Sequence, residues 1–474
     1  MMAIGAAAGG VDLHELAGSG QVHFMGIGGA GMCALAELIA RAGGQVSGCD
    51  LRPGSATTAL SDLGVTVSEG HGSAHVEDAA ALVITAAVPP DHPEVAAARE
   101  SGLPVLKRAE ALGAVVNASR VVGVAGTHGK TSSTAMTVEV LSAAGLDPTG
   151  LVGGHVVGWT GNLRMGSRDL YVVEADEYDR SFLTLQPDVA VVTNLEADHL
   201  DTYGDLRGVE AAFEDFVSRV PPEGRVVVCG DDHGASRLLA GLDGRGYAYG
   251  LQAGAQLRAV DLAFSSAGSR FRIVEEGLSP GTVVLSVPGL HNVRNALAAA
   301  AVGRYLGASW EEIRAGLAAY QGVARRFQRF GEPAGIALID DYAHHPTEIR
   351  ATLEALSRAY PERRTVAVFQ PHLYSRTRDF AGEFGEALAH ADVVWVTEVY
   401  PAREEPIPGV TGETVADAAR RAGAAEVHYR GTLDDLTTAL AATLAAGDVC
   451  VTMGAGSVER VAPELGRLLE AERG

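Results

Sequence analysis

The stretch GVAGTHGKTSST, residues 123–134, sets glycines, a lysine and hydroxyls in the order that a phosphate-binding loop uses. The common spacing G-x-x-x-x-G-K-[ST] would require a glycine where this chain has Val124, so the loop is a shortened one. Gly126, Thr127, His128 and Gly129 lie between a strand-like run and a helix-like run. There, backbone N–H groups at a helix N-terminus can cradle phosphate. Lys130 would reach the terminal phosphates of ATP, and the Thr131 hydroxyl, with Ser132 after it, would face Mg²⁺ and the nucleotide.

Two acidic stretches supply what such a loop needs. LYVVEADEYD brings Glu174 to the end of an apolar run, and VVTNLEADHLD ends another run with Asn194, Asp198, His199 and Asp201. Groups at the C-terminal ends of neighbouring parallel strands converge on the crevice where open α/β sheets bind ligands. Mg²⁺ held there bridges phosphates and neutralises developing charge. Thr131, Glu174 and His199 are the candidate metal ligands.

A second glycine loop lies upstream. GIGGAG, with Gly26, Gly28 and Gly31 spaced by Ile27, Gly29 and Ala30, follows a strand-like run and precedes Asp50 by about twenty residues, the G-x-G-x-x-G arrangement. Read alone it suits a dinucleotide such as NAD. Its physics suits any diphosphate, because the helix dipole and free N–H groups do not distinguish among them.

The elements that must position these loops recur along the chain. Short β-rich runs (81–87, 103–107, 120–126, 170–176, 189–195, 364–370, 391–399 and 447–454) alternate with Ala/Leu-rich amphipathic stretches. The alternation predicts doubly wound parallel sheets. With 474 residues, the chain exceeds one core. The expected fold is α/β in three domains. Residues 1–115 form an N-terminal Rossmann-like part and 116–325 a central P-loop part with an antiparallel insertion near 255–287. Residues 326–474 form a C-terminal Rossmann-like part.

Bulk composition narrows the class further. A hydrophobic content of 47% with 20% charged residues is that of a globular protein, and a net charge of −22 disfavours nucleic acid as a partner. Four scattered cysteines form no C-x-x-C pair, which argues against a disulfide framework or zinc cluster and fits a reducing cytosol. The start MMAIGAAAGG lacks the positive region of a signal peptide, and apolar runs are strand-sized, so a cytoplasmic enzyme with no membrane association is expected.

Taken together, GTHGKT, EADE, NLEADHLD and HNVRNALAA resemble the Mur ligase superfamily of ATP-dependent peptidoglycan-precursor ligases. DDYAHHPTE, FQPHLYSRT and HFMGIGGAGM are similar to motifs of its alanine-adding branch. The resemblance runs through the whole chain, and it implies the short GTxGK[ST] loop. It also implies that the first loop (Gly26–Gly31, with Asp50) holds UDP-N-acetylmuramate rather than NAD. ATP would bind through Gly126–Thr131 and Ser132, with one Mg²⁺ on Thr131 and Glu174 and a second on His199. His291, Asn292 and Asn295 would face the adenosine. Arg326, Asp341, His344, His345 and Arg376 would close over the reaction centre, with Lys130, His199, Arg326, His344, His345 and Arg376 the catalytic set.

Implied is amide formation between L-alanine and the lactyl carboxylate through an acyl phosphate. Lys130, Mg²⁺ and Arg326 would neutralise charge, and the histidines and Arg376 would hold the amine and carboxylate of alanine. Phe213 occupies the position where other superfamily members keep a carbamylated lysine, and Leu373 the place of an arginine in some relatives. Either His344 or His345 could instead cap the helix that Pro346 opens. The alternatives are a recycling ligase adding a tripeptide to the same sugar nucleotide, an NAD-dependent oxidoreductase, and a nucleotide-hydrolysing switch.

Overall fold

The computed structural model describes residues 12–471. Three sheets carry the chain, each with helices between its strands. The first contains β1 (Gln21–Met25), β2 (Val46–Asp50), β3 (Thr66–Glu69), β4 (Ala79–Ile84) and β5 (Val105–Lys107), in the order β3-β2-β1-β4-β5. All its pairings are parallel. β1 is therefore the switch point at which the winding reverses, and the first glycine loop leaves its carboxyl end.

The second sheet contains β6 (Arg120–Ala125), β7 (Pro148–Val156), β8 (Gly161–Arg164), β9 (Ser167–Glu174), β10 (Val189–Val192), β11 (Arg225–Cys229) and β12 (Gly246–Gly250). Three further strands, β13 (Leu257–Ser265), β14 (Gly268–Glu275) and β15 (Leu278–Leu285), follow one another through two-residue links. Such links permit only antiparallel pairing, and this is the insertion expected near 255–287. The order is β15-β14-β13-β12-β11-β10-β6-β9-β7-β8. β6 thus lies between β9 and β10, so the GTHGKT loop leaves a strand flanked by both acidic stretches. VAVV in β10 and RVVVC in β11 are nearly continuous apolar runs because helices cover both sheet faces.

The third sheet contains β16 (Gln328–Arg329), β17 (Ala337–Asp341), β18 (Thr365–Phe369), β19 (Val393–Val396), β20 (Val427–Tyr429) and β21 (Val449–Met453), in the order β16-β17-β21-β18-β19-β20. Only β16 runs antiparallel. One apolar cluster, with Phe369 and Phe384, and another, with Trp395 and Leu436, form its two cores.

The chain divides into two compact units. One holds residues up to Arg258 with Val274–Pro280 and Arg294–Ala319, and the other holds Ala259–Ile273, Gly281–Val293 and Tyr320 onward. Among the described residues, no helix is long and apolar enough to cross a membrane.

Candidate active site

The GTHGKT loop is held from beneath by the segment after β10. Thr193 Oγ1 donates to His128 O (2.6 Å), Asn194 Nδ2 donates to the same carbonyl (3.0 Å), and Asn194 Oδ1 accepts from His128 N–H (2.8 Å). Thr127 Oγ1 accepts from Glu196 N–H at 3.0 Å. Gly126 has φ +136°, and a Cβ there would lie 2.0 Å from Thr193 Oγ1, so only glycine fits. From Gly129 the chain enters the helix Lys130–Ala143, whose N-terminus supplies the anion-attracting dipole. Asn295 lies under this helix, its Oδ1 accepting from Ser133 Oγ (3.1 Å).

Lys130 Nζ is surrounded by oxygen. It donates to Gly126 O (2.6 Å) and to both carboxylate oxygens of Glu177 (2.8 and 2.7 Å). Burial works against the ammonium, but Glu177, Asp176 and Glu174 outweigh it and hold Lys130 above the ordinary lysine value. Burial lifts Glu177 above the usual carboxylate value, with Lys130 opposing the lift. The result is a cation fixed at the mouth of a helix N-terminus, ready to exchange carboxylate oxygens for phosphate oxygens.

Thr131 Oγ1 is 3.0 Å from Glu174 Oε1, and Glu174 Oε2 also accepts from Gly153 N–H (2.5 Å). A hydroxyl and a carboxylate meeting at this edge are the hard oxygen donors that Mg²⁺ prefers, so the donor set fits that ion. His199 opens the short helix Leu200–Tyr203 with φ +52°. Its Nε2 stands 3.8 Å from Glu177 Oε1, and its ring packs edge-on to Tyr178. Lys130, Thr131, Glu174 and His199 are thereby brought together.

Glu177 is a site residue that the loop patterns alone do not single out. The signal was present, since Glu177 closes the EADE run, but its contact with Lys130 spans 47 positions. Tyr203, whose hydroxyl donates to Glu177 O, was missed for the same reason.

In the first glycine loop, Gly26 and Ile27 N–H both donate to Cys49 O (2.8 and 3.1 Å). Gly28 N–H donates to Asp50 Oδ2 (2.9 Å), while Asp50 Oδ1 accepts from Arg52 N–H (2.9 Å). A cavity of about 400 Å³ opens here, lined by Gly28, Gly29, Asp50, Arg52, Ser55 and Thr57 among others. Ala30 O accepts from Asn162 Nδ2 (2.7 Å), and the Arg108 side chain lies beside Gly31 and reaches Asp176 (3.5 Å).

In the second unit, Asp341 ends β17 with one oxygen on Phe327 N–H and the other on Ala343 N–H, both 2.9 Å. Burial pushes its pKa up to about 6, against the pull of Arg326. Arg326 pairs with Glu348 (3.3 Å) and lies over the Tyr342 ring. The adjacent histidines part here. His345 caps the helix Pro346–Ala359, Nδ1 accepting from Thr347 N–H, and is buried. His344 is more exposed, with Nδ1 3.2 Å from Glu348 and its ring facing His372. His372, inside FQPHLYSRT and unassigned by sequence, stacks on Tyr400. Burial first, then His344, Arg376 and Arg403, push its pKa down to about 4. A neutral imidazole among guanidinium groups suits an anionic partner with an amine beside it. Leu373 adopts φ +67° at the start of the helix Tyr374–Asp379, which carries Arg376. Earlier in this unit, Asn292 Nδ2 donates to Pro288 O (2.8 Å) and lies 3.1 Å from His291 Nε2.

Sequence profiles described as Mur ligase family, catalytic domain, Mur ligase middle domain, and Mur ligase, glutamate ligase domain match residues 21–120, 124–303 and 325–456. UDP-N-acetylmuramate–L-alanine ligase of Salinibacter ruber is 44% identical over 455 residues, covering 96% of either chain. The chain belongs to the Mur ligase family.

Other Mur ligases agree. UDP-N-acetylmuramate–L-alanine ligase of Burkholderia cenocepacia is 44% identical over 94% of this chain and 97% of its own. Among solved Mur ligases, UDP-N-acetylmuramate-alanine ligase MurC of Thermotoga maritima superposes with a TM-score of 0.81 at 29% identity, covering 96% of this chain and 100% of that one. A murein peptide ligase from Psychrobacter arcticus gives 0.67 at 26%, covering 95% and 99%.

Proposed function

We propose that this Mur ligase joins L-alanine to the lactyl carboxylate of UDP-N-acetylmuramate, with ATP as the driving substrate and ADP and phosphate as co-products. The observation that carries this reading is the end-to-end 44% identity to proteins named for that reaction. Residues 1–115 would bind the sugar nucleotide, 116–325 the ATP, and 326–474 the amino acid.

A carboxylate is a poor electrophile, and its attack on the γ-phosphorus of ATP brings two anions together. One carboxylate oxygen bonds to phosphorus as the bond to the ADP oxygen breaks, leaving an acyl phosphate. Lys130 steadies the transferring phosphoryl group, a role of positioning and charge neutralisation. Thr131, Glu174 and His199 would hold Mg²⁺, which when bound draws charge from the phosphate oxygens. Backbone donors of Gly126–Gly129 orient the chain of phosphates. Next, the alanine amine attacks the acyl carbon, inorganic phosphate leaves, and a proton passes from nitrogen to a base. His344 and His372 are the imidazoles available for that proton, and Arg326 and Arg376 suit the alanine carboxylate. His291, Asn292, Asn295 and Asp341 belong to the nucleotide side of this scheme, and His345 shapes the turn that presents His344. The site chemistry suits the cytoplasm, where ATP is available.

The test is phosphate release with each substrate omitted in turn. Release should require both UDP-N-acetylmuramate and L-alanine. Turnover with either left out, or with the tripeptide of the recycling ligase in place of alanine, would contradict the reading.

A further inference from the structure

A second cluster of metal-ligating side chains lies in the first sheet, apart from the nucleotide loops' own functional groups. His23 on β1 and Cys49 on β2 project from the same sheet face, since Met25 pairs with Cys49 and His23 is two residues earlier. Glu94, in the first turn of the helix Pro93–Glu100, is fully buried between them. His75 comes from the single helical turn Ser73–Val76. Thus four separate elements deliver a thiol, two imidazoles and a carboxylate to one point.

Their spacing is that of a coordination shell. The ligand atoms of His23, Cys49, His75 and Glu94 all lie within 4.8 Å of one another. His23 Nε2, Cys49 Sγ and His75 Nδ1 stand 3.1, 3.3 and 3.5 Å from Glu94 Oε1. A tetrahedral ion with bonds near 2.0–2.3 Å would separate its ligands by roughly 3.3–3.8 Å. Both ring nitrogens are turned to the shared carboxylate: His23 Nε2 and His75 Nδ1 are buried, lie at ion-pair distance from Glu94 Oε1, and hydrogen-bond to nothing else. Ser47 Oγ, 2.8 Å from His23 Nδ1, orients that ring, as an outer-shell partner does for a metal-bound histidine. Met25, Val76, Leu82 and Val95 close the surroundings with apolar side chains. The His75 side chain, 24% exposed, leaves an entry path.

We propose that His23, Cys49, His75 and Glu94 form a site for one divalent transition-metal ion of the Zn²⁺ class. The mixed thiolate, imidazole and carboxylate set selects such an ion over Mg²⁺, which prefers oxygen alone. Burial, and then Glu94, push the Cys49 thiol up. Binding therefore exchanges the thiol proton for a sulfur–metal bond and releases that proton to solvent. The site lies directly behind the first glycine loop, because Cys49 O receives the N–H groups of Gly26 and Ile27. Metal occupancy fixes the end of β2 and the loop resting on it.

Co²⁺ is the probe, added to the full chain after chelator dialysis, with excess Mg²⁺ present to fill oxygen-donor sites. One Co²⁺ should bind per chain with proton release and a near-ultraviolet thiolate-to-cobalt band, and Zn²⁺ should displace it with no further proton released. Cys49→Ser should abolish the band, and His75→Ala, at the exposed rim, should weaken binding by at least ten-fold while circular dichroism shows both variants folded. Absence of a thiolate band from the native chain, its survival in Cys49→Ser, or unchanged affinity in His75→Ala would overturn the proposal. Because no nucleotide is present, the result does not depend on the ligase reading.

Discussion

The two glycine loops of this chain begin alike and are finished differently. Each leaves the carboxyl end of a central parallel strand and opens a helix, so each presents N–H groups to an anion. The middle loop carries its own cation: Lys130 is held by Glu177 and a loop carbonyl, and Thr131 meets Glu174 beside it. The first loop carries no lysine. Its Gly28 N–H is already taken by the Asp50 carboxylate, beside an open cavity. A loop with its own cation and metal-suited oxygens can neutralise charge as it develops on a transferring phosphoryl group. A loop finished by a carboxylate can orient a diphosphate and accept from a ribose hydroxyl, which is binding without bond-making. On the proposed function, this difference would give chemistry to one loop and recognition to the other.

The strongest way to break this division is Lys130→Ala. Turnover should fall by roughly 10³-fold or more, with UDP-N-acetylmuramate affinity, read by calorimetry, unchanged within about two-fold. Equal loss of both would erase the distinction between the loops. Glu177→Gln tests how the cation is held. Removing one partner of a buried pair should cost about 3 kcal/mol, seen as a lowered urea midpoint, and an unmoved midpoint would show that Lys130 needs no buried carboxylate.

A paired substitution sharpens the contrast in rigidity. Gly126→Ala places a methyl against Thr193 Oγ1 in a left-handed backbone and should destabilise by about 3 kcal/mol. Gly28→Ala meets the Asp50 carboxylate at 2.9 Å, which can swing aside, and Thr57 Cγ2 only at an ordinary 3.4 Å, so about 1 kcal/mol is expected. Thermal melting of both variants checks the order, and a reversed order would contradict the account of the clamp. The effect on recognition is also modest: Asp50→Ala should weaken UDP-N-acetylmuramate binding about ten-fold, near 1.4 kcal/mol, and leave ATP affinity alone.

Much of this contrast was legible in the sequence. GTHGKT between a strand and a helix, and Glu174 and His199 after two apolar runs, are local patterns, and local patterns survive without coordinates. The antiparallel insertion was readable from alternation in FRIVEEG and TVVLSVPG. Long-range partners were not legible. Glu177 reaches Lys130, and Asn295 supports the Lys130 helix through Ser133, across 162 positions. Nor could the pair His344–His345 be ranked by type, since capping depends on which ring turns back to Thr347. His372 was passed over because its surroundings, Tyr400 and Arg403, come from a later strand-end loop. The scattered cysteines spoke against a metal cluster, yet His23, Cys49, His75 and Glu94 meet only after four elements have folded.

The most direct test of the central claim is isotope transfer. UDP-N-acetylmuramate labelled with ¹⁸O in its lactyl carboxylate is turned over with ATP and L-alanine, and the released phosphate is weighed by mass spectrometry. If the middle loop phosphorylates the carboxylate that the first loop's ligand presents, each phosphate carries one ¹⁸O from the substrate. Phosphate free of the label would contradict the account.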